Sequence, residues 1–308
     1  MLDQVTGMRV FLSVHAEGSF AAAARAMRLS QTMVGKHIDA IEQRLGVQLL
    51  RRSTRSLTLT EAGSYYLRSC QHILAEIEDA EEAVVAGQSQ PRGHLRLNAP
   101  VSFGTLHIAP LMADFSALYP QVTIELGLSD YLVGVVQEGW DLVIRFGPLP
   151  NSNLRSRPLA SCGIVVCASP GYLATHGTPQ TIDDLKSFNC LGFTLAERIG
   201  VNHWTFGANG EISAPVSGNM RSNSSTALRE AALAGLGIVS LPSYLVCQDL
   251  RKGNLVAIGL DHRPTPIGVI NAVFADDRRM PLKTRKMIEF LAERFGKTPP
   301  WERDLDLP

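Results

Sequence analysis

The chain has 308 residues, 45% apolar and 19% charged, and its 29 basic and 29 acidic side chains give a net charge of zero. That length exceeds one typical core and implies two or three domains, while the apolar content excludes a disordered chain. The opening MLDQVTGMRVFLSVHAEGS lacks a basic start followed by an apolar stretch, and no run approaches the roughly 20 apolar residues of a membrane span, so a cytoplasmic protein is expected.

The first helix is predicted over residues 4–15, with Val5, Met8, Phe11 and Leu12 on one side. Ser19 can cap a second helix, because its hydroxyl accepts a backbone N–H that would otherwise be unpaired. In that helix Phe20, Ala23, Ala24 and Met27 recur at helical spacing, and Ala21 to Ala24 let another helix approach closely. Leu29 closes a short turn and Ser30 can cap a third helix. Val34, Ile38, Ile41 and Leu45 mark its buried side, and Gln31, Thr32, Met33, Lys36 and His37 its polar side. Two short helices joined by such a turn are either an ordinary helical hairpin or a helix-turn-helix, which lays its second helix in the DNA major groove. The sequence that follows favours the second reading. In RRSTRSLTLT, residues 51–60, Arg51, Arg52 and Arg55 are bunched, and Ser56, Thr58 and Thr60 alternate with Leu57 and Leu59. This is the pattern of a β-wing whose arginines reach phosphates or a minor groove. Residues 1–60 carry eight Lys/Arg and four Asp/Glu, a net +4 in a neutral chain, so positive charge collects where phosphate attraction needs it.

On these residues the chain resembles the LysR-type transcriptional regulators. The resemblance is carried by Phe11, Val14, Gly18–Ser19–Phe20, Ala23–Ala24, Leu29–Ser30–Gln31, Val34, Ile38, Ile41–Glu42, Leu45–Gly46, Leu49, Arg52, Leu59–Thr60 and Ala62–Gly63. Further phrases, Val166–Cys167–Ala168–Ser169–Pro170 and Gly235–Leu236–Gly237–Ile238, extend it over essentially the whole chain. Thr32, Gly35 and Leu50 depart from common family choices, and Gly35 costs the third helix about 1 kcal/mol relative to Ala. The resemblance implies a DNA-binding set of Ser30, Gln31, Thr32, Met33, Lys36, His37, Arg51, Arg52 and Arg55. It also implies an imperfect palindrome of double-stranded promoter DNA, a small-molecule effector, RNA polymerase, and self-association into a homodimer or homotetramer.

Thr60 is predicted to cap a long helix ending near Val85. Its apolar or small residues, Ala62, Tyr66, Cys70, Ile73, Ile77, Ala80 and Val84, follow the 3.5-residue mean of a coiled-coil seam. That stripe must be buried on a second copy or on the chain's own domains, and the resemblance favours the dimer. A hinge follows within Gly87–Gly93. From His94 strands alternate with helices: HLRLNAP, TLHIAPLMADFSALYP, VTIELGLS, YLVGVVQEGW, DLVIRFG and onward. Such alternation implies an α/β fold with mostly parallel sheets. The expected organisation is a winged helix-turn-helix at 1–60, a linker and dimerisation helix at 61–88, a hinge at 89–93 and an effector domain at 94–303. The resemblance implies that this domain has two lobes, like a periplasmic binding protein: lobe I at 94–161 and 264–303, and lobe II at 162–263.

In open α/β sheets ligands bind beyond the carboxyl ends of strands. Three such places can be read: Pro100–Gly104, with Ser102 and Phe103; Arg145–Phe146–Gly147; and Arg221–Ser225, with Ser222, Asn223 and Ser224. Ser129, beside Asp130, is a fourth. The family seats its effector between the lobes, and Arg145 with the helix N-termini favours a small carboxylate. The alternative for Ser102, Ser222 and Ser224 is helix capping alone. No metal, cofactor or enzymatic activity is expected, since neither Gly-x-Ser-x-Gly nor a phosphate-binding loop is present. The five cysteines, Cys70, Cys162, Cys167, Cys190 and Cys247, form no CxxC pair and read as buried thiols. The alternatives to an effector-controlled regulator are a thiol-based redox sensor and a small-molecule-binding protein without DNA function.

Overall fold

The computed structural model describes residues 3–52, 57–84, 90–147, 154–195, 201–276 and 280–303. The chain forms two compact units, Met1–His94 with Val136–Gly139, and Leu95–Val135 with Trp140–Pro308.

In the first unit, α1 (Gln4–Glu17), α2 (Phe20–Met27) and α3 (Gln31–Leu45) enclose Met8, Val10, Phe11, Val14, Ala23, Ala24, Val34, Ile38 and Ile41. Each helix starts on a side-chain cap. Asp3 accepts from Thr6 N at 2.9 Å, Ser19 from Ala22 N at 3.2 Å and Ser30 from Met33 N at 3.2 Å. Arg28 ends α2 in the left-handed region, which gives the sharp turn into α3. A short hairpin follows: β1 (Leu50–Arg52) pairs antiparallel with β2 (Leu57–Leu59). Glu42 of α3 holds its start, accepting from Leu49 N at 2.7 Å and Leu50 N at 3.1 Å. Thr60 caps α4 (Glu61–Val84), accepting from Gly63 N at 2.9 Å. Here the helix backbone runs against the hairpin so closely that a Cβ on Gly63 would lie 2.0 Å from the Leu49 carbonyl oxygen.

The first half of the α4 stripe is spent within this unit. Cys70 and Leu74 are buried in its core, with Ala62, Tyr66 and Leu67 packed against it. Tyr66 meets Phe11 edge-on at 5.3 Å. Ile73 instead stays 39% exposed, and the Ala80 and Val84 side chains lie outside the described residues. Leu45, expected on the buried side of α3, is 41% exposed, because it falls in the last turn beyond the facing helices.

Among the described residues the second unit holds a five-stranded sheet, a three-stranded sheet and two two-stranded pairs. In the largest, the order is β4 (Val122–Leu128), β3 (Gly93–Ala99), β5 (Leu142–Phe146), β14 (Gly268–Ala275), β6 (Leu154–Cys162). β3 and β5 are parallel, but β14 runs antiparallel to both β5 and β6, so the sheet is mixed rather than mostly parallel. One face carries Leu95, Leu97, Leu142, Ile144, Ile270 and Ala272 into the main core. Over it lie the helical run α5 (Val101–Phe103) to α6 (Met112–Leu118), joined by a π turn and a 3-10 turn, and α10 (Leu282–Phe295). The run Val101–Leu118 is apolar and long enough to cross a membrane, yet Phe103, Ile108 and Phe115 bury its inner side on this sheet. Residues 131–140, expected as a helix, form turns instead; Gly139 takes a positive φ of 67° and Gly134 lowers helix propensity further.

The chain passes to the second sheet through Gly163 alone. There β7 (Ile164–Ala168) lies between β12 (Val239–Pro242) and β13 (Val256–Ala257), antiparallel to both. Around it stand α7 (Pro170–His176), β8 (Gly192–Phe193) paired with β11 (Arg221–Ser222), β9 (His203–Phe206) paired with β10 (Ile212–Pro215), α8 (Ser225–Leu233) and α9 (Ser243–Lys252). The chain returns before β14.

Candidate functional sites

The third helix presents Gln31, Thr32 and Lys36 to solvent, with Met33 half-buried and Ser30 spent on its cap. His37 does not belong to this face. It is 4% exposed and lies against Gly7 of α1. The reason is spacing: Val34, His37, Ile38 and Ile41 fall at i, i+3, i+4 and i+7, one apolar stripe. Arg51 is exposed on β1 opposite Thr58. Arg52 pairs through its backbone with Leu57, and its side chain, like the whole of Arg55, lies outside the described residues. The exposed face is therefore a polar strip on α3 beside an arginine-bearing hairpin.

In the second unit, hydroxyls from three separate elements meet. Ser102 Oγ lies 2.9 Å from Tyr244 Oη and 3.4 Å from Ser225 Oγ. Ser102 belongs to α5, over the larger sheet, whereas Ser225 and Tyr244 open α8 and α9, beside the smaller one. The rings of Phe146 and Tyr244 stack at 5.5 Å, and Phe103 meets both edge-on. His107 Nε2 lies 3.1 Å from the Tyr244 carbonyl oxygen, and burial lowers its pKa below the usual histidine value. Burial raises the pKa of the Tyr244 hydroxyl, so it is a neutral donor and acceptor at physiological pH.

The sequence-predicted residues divide sharply around this cluster. Ser102 and Phe146 are in it. Phe103 is fully buried and serves the core rather than a ligand. Arg145 is not in it. Successive strand residues face opposite ways, so with Phe146 in the main core Arg145 points to the other face, beside Val143 and Val273. There its guanidinium donates to the Val133 carbonyl. The anion expected at the Pro100–Gly104 turn is already supplied by this chain: Asp130 Oδ1 accepts from Val101 N at 2.9 Å. Ser129 closes its own turn on Tyr131 N at 3.1 Å, and Gly147 is a turn residue with φ 72°. Ser222 accepts from Ser224 N, Ser224 caps α8 through Ala227 N, and Asn223 is exposed. Ser225 closes the predicted Arg221–Ser225 segment, whereas His107 and Tyr244 were not legible: each sits in an ordinary helical pattern, and nothing local links Ser102 to a partner 142 residues away.

The cysteines are all buried and unpaired. Burial pushes the thiols of Cys162, Cys167 and Cys190 up to about 12, and those of Cys70 and Cys247 also upward. They stay protonated at neutral pH, the unreactive form.

A helix-turn-helix with a β hairpin, joined in one chain to an α/β unit, is the build of a ligand-responsive transcription regulator. Residues 88–296 match the LysR substrate binding domain, and residues 5–64 match the bacterial regulatory helix-turn-helix protein, lysR family. The chain belongs to the LysR family of transcriptional regulators. It is 35% identical to the HTH-type transcriptional regulator CrgA of Neisseria meningitidis serogroup B, over 94% of this chain and 96% of that protein. An HTH-type transcriptional regulator of Xanthomonas campestris pv. campestris is 36% identical over 96% and 87% of the two chains. The solved structure of CrgA from Neisseria meningitidis is similar over 95% of this chain and 99% of that one, with 34% identity and a TM-score of 0.61.

Proposed function

We propose that this regulator is a cytoplasmic protein that reads an imperfect promoter palindrome as a homodimer, or as a pair of dimers, under the control of a small carboxylate. Gln31, Thr32 and Lys36 contact bases or adjacent phosphates, and Arg51 and Arg52 the backbone or minor groove. The exposed polar strip on α3 supports this docking. Lys36→Ala and Arg51→Ala should each flatten the salt dependence of binding by about one unit of slope, whereas a Gln31 change should also alter sequence preference. Unchanged slopes in both basic variants would remove them from the interface. Residues 61–88 dimerise through the stripe that the head leaves open. Ile73→Asp should then shift sedimentation of that contact toward the monomer, because it would bury an unpaired charge.

The effector seats between Ser102, Ser225 and Tyr244. The observation that carries this reading is the convergence of hydroxyls from both lobes on one point, beside the Phe146–Tyr244 ring stack. Three O–H groups can each donate to a carboxylate, and the ring faces suit an apolar substituent. Such a ligand replaces the Ser102–Tyr244 hydrogen bond, so binding and lobe movement are coupled. Arg145 has no part in it. A thermal-shift screen with benzoate and succinate among the acids tests the reading. A ligand at 100 times its dissociation constant stabilises by about 2.7 kcal/mol, and that shift should disappear in Ser102→Ala. An equal shift in wild type and Ser102→Ala would move the site elsewhere.

A further inference from the structure

Beyond α10 the chain turns back across the junction of the two lobes. Trp301 is fully buried there, with its ring 4.8 Å from His107, 5.4 Å from Phe103 and 5.2 Å from Phe295. Its Nε1–H donates to the Ser161 carbonyl oxygen at 3.2 Å. The next residue, Glu302, accepts hydrogen bonds from three places at once. Ser161 Oγ donates to one carboxylate oxygen at 3.1 Å, while Gly163 N at 3.1 Å and Ser243 Oγ at 3.3 Å donate to the other. Ser161 lies near the end of β6, Gly163 is the single residue between β6 and β7, and Ser243 opens α9 immediately before Tyr244. The Ser243 amide also donates to the Gly163 carbonyl at 2.9 Å. From the other side, Arg251 of α9 donates to the carbonyls of Pro300 and Arg303, both at 2.8 Å.

We propose that residues 299–303 form a latch over the first crossing between the lobes, with Glu302 as the positioning residue that sets Tyr244 against Ser102. Hydrogen bonds to an ionised carboxylate are stronger than neutral ones, so one side chain ties the end of one sheet, the start of the other and the foot of α9 into a fixed angle. Trp301 anchors the segment in the core so that Glu302 does not wander. Any effector that parts Ser102 from Tyr244 moves α9 against the Glu302–Ser243 bond, so the latch sets how far the lobes turn. That consequence rests on the effector reading above; the latch itself does not.

Amide hydrogen exchange on the full-length protein, without DNA or added small molecule, tests it. In Glu302→Ala, exchange at Gly163, whose amide donates to the carboxylate, should accelerate by about tenfold or more, the effect of losing a hydrogen bond to a charged group, and Ser243, whose amide bonds the Gly163 carbonyl, should accelerate less, while Leu291 in α10 and Ile38 in α3 stay as in wild type. Glu302→Gln keeps the shape and one acceptor oxygen and should restore much of the protection. Arg251→Ala, which frees the segment without touching Glu302, should loosen the same two amides more mildly, and it decides the matter if Glu302→Ala does not fold. Wild-type exchange at Gly163 and Ser243 in these variants, or acceleration shared equally with Leu291 and Ile38, overturns the latch. If instead no acid shifts the melting of wild type while the exchange result holds, the effector reading fails and the latch stands.

Discussion

The DNA-reading head and the sensor use polar side chains in opposite ways. In the head, Ser19 and Ser30 cap their own helices within three residues, and Gln31, Thr32 and Lys36 on the outer face of α3 stand exposed. In the sensor, the groups of interest satisfy one another across the fold, Ser102 with partners 123 and 142 residues away. A surface that must meet a long, charged, hydrated polymer keeps its donors in water until contact. At the proposed effector seat the donors are paired with one another, so that a ligand there would compete with an existing bond.

The comparison breaks most readily at Gly63. A Cβ there would meet the Leu49 carbonyl oxygen at 2.0 Å, a backbone atom with no room to yield. Gly63→Ala should therefore lift the hairpin from α4 and destabilise the head by about 3 kcal/mol. Chemical unfolding should show the loss, with DNA affinity falling while the sensor keeps its own stability. A variant that melts like wild type and binds DNA normally would show that the head does not need this contact.

Tyr244→Phe comes next. Phenylalanine keeps the ring stacked on Phe146 and edge-on to Phe103 but leaves Ser102 without its 2.9 Å partner in a buried setting. The cost should be about 1–2 kcal/mol, confined to the sensor, with DNA binding by the head unaltered. Urea unfolding followed by tryptophan fluorescence reads it, since Trp301 lies beside Tyr244. No loss of stability would mean that the hydroxyl pair contributes nothing and that a ligand need not displace it.

The same contrast explains what could be read from the sequence. The caps, the two short helices, Arg51 on its strand and Thr60 are local patterns, and the structure contains them where the spacing put them. His37 was misread because its polarity outweighed its place in the i, i+3, i+4, i+7 stripe. Arg145 was expected beside Phe146; as its neighbour in a strand it faces the other way and donates to the Val133 carbonyl. Tyr244 gave no local sign, because its meaning depends on α5, α8 and α9 coming together in space. Asp130 at the Val101 amide is a similar case, a long-range partner filling a place that looked open.

Gly35 sharpens the comparison from the head's side. A Cβ at this position meets nothing within 4 Å in the protein, so Gly35→Ala should stabilise α3 by about 1 kcal/mol. Thermal unfolding should record the gain. If DNA affinity drops at the same time, the open space at Gly35 belongs to the DNA. If affinity is unchanged, the glycine is not part of the docking surface.

The smallest effect expected is a pH dependence that belongs to the sensor alone. His107 sits among Phe103, Tyr244 and Trp301 with Nε2 against the Tyr244 carbonyl, and burial holds its pKa below the value of 6.5 it has when exposed. The folded state therefore favours the neutral ring, and the unfolded chain binds the proton more readily. Its contribution to stability is fully present above pH 6.5 and declines as pH falls from there toward the lowered folded value. Urea midpoints for the wild type should fall between pH 7.5 and 5.5. In His107→Gln, which keeps a donor for the Tyr244 carbonyl and cannot titrate, the fall should be smaller over the same interval. The head supplies the internal control: salt-matched DNA binding over this range should not follow His107, because its exposed contacts lie in a separate unit. Equal pH dependence of stability in wild type and His107→Gln would show that the ring binds its proton alike in both states and that other groups carry the whole response.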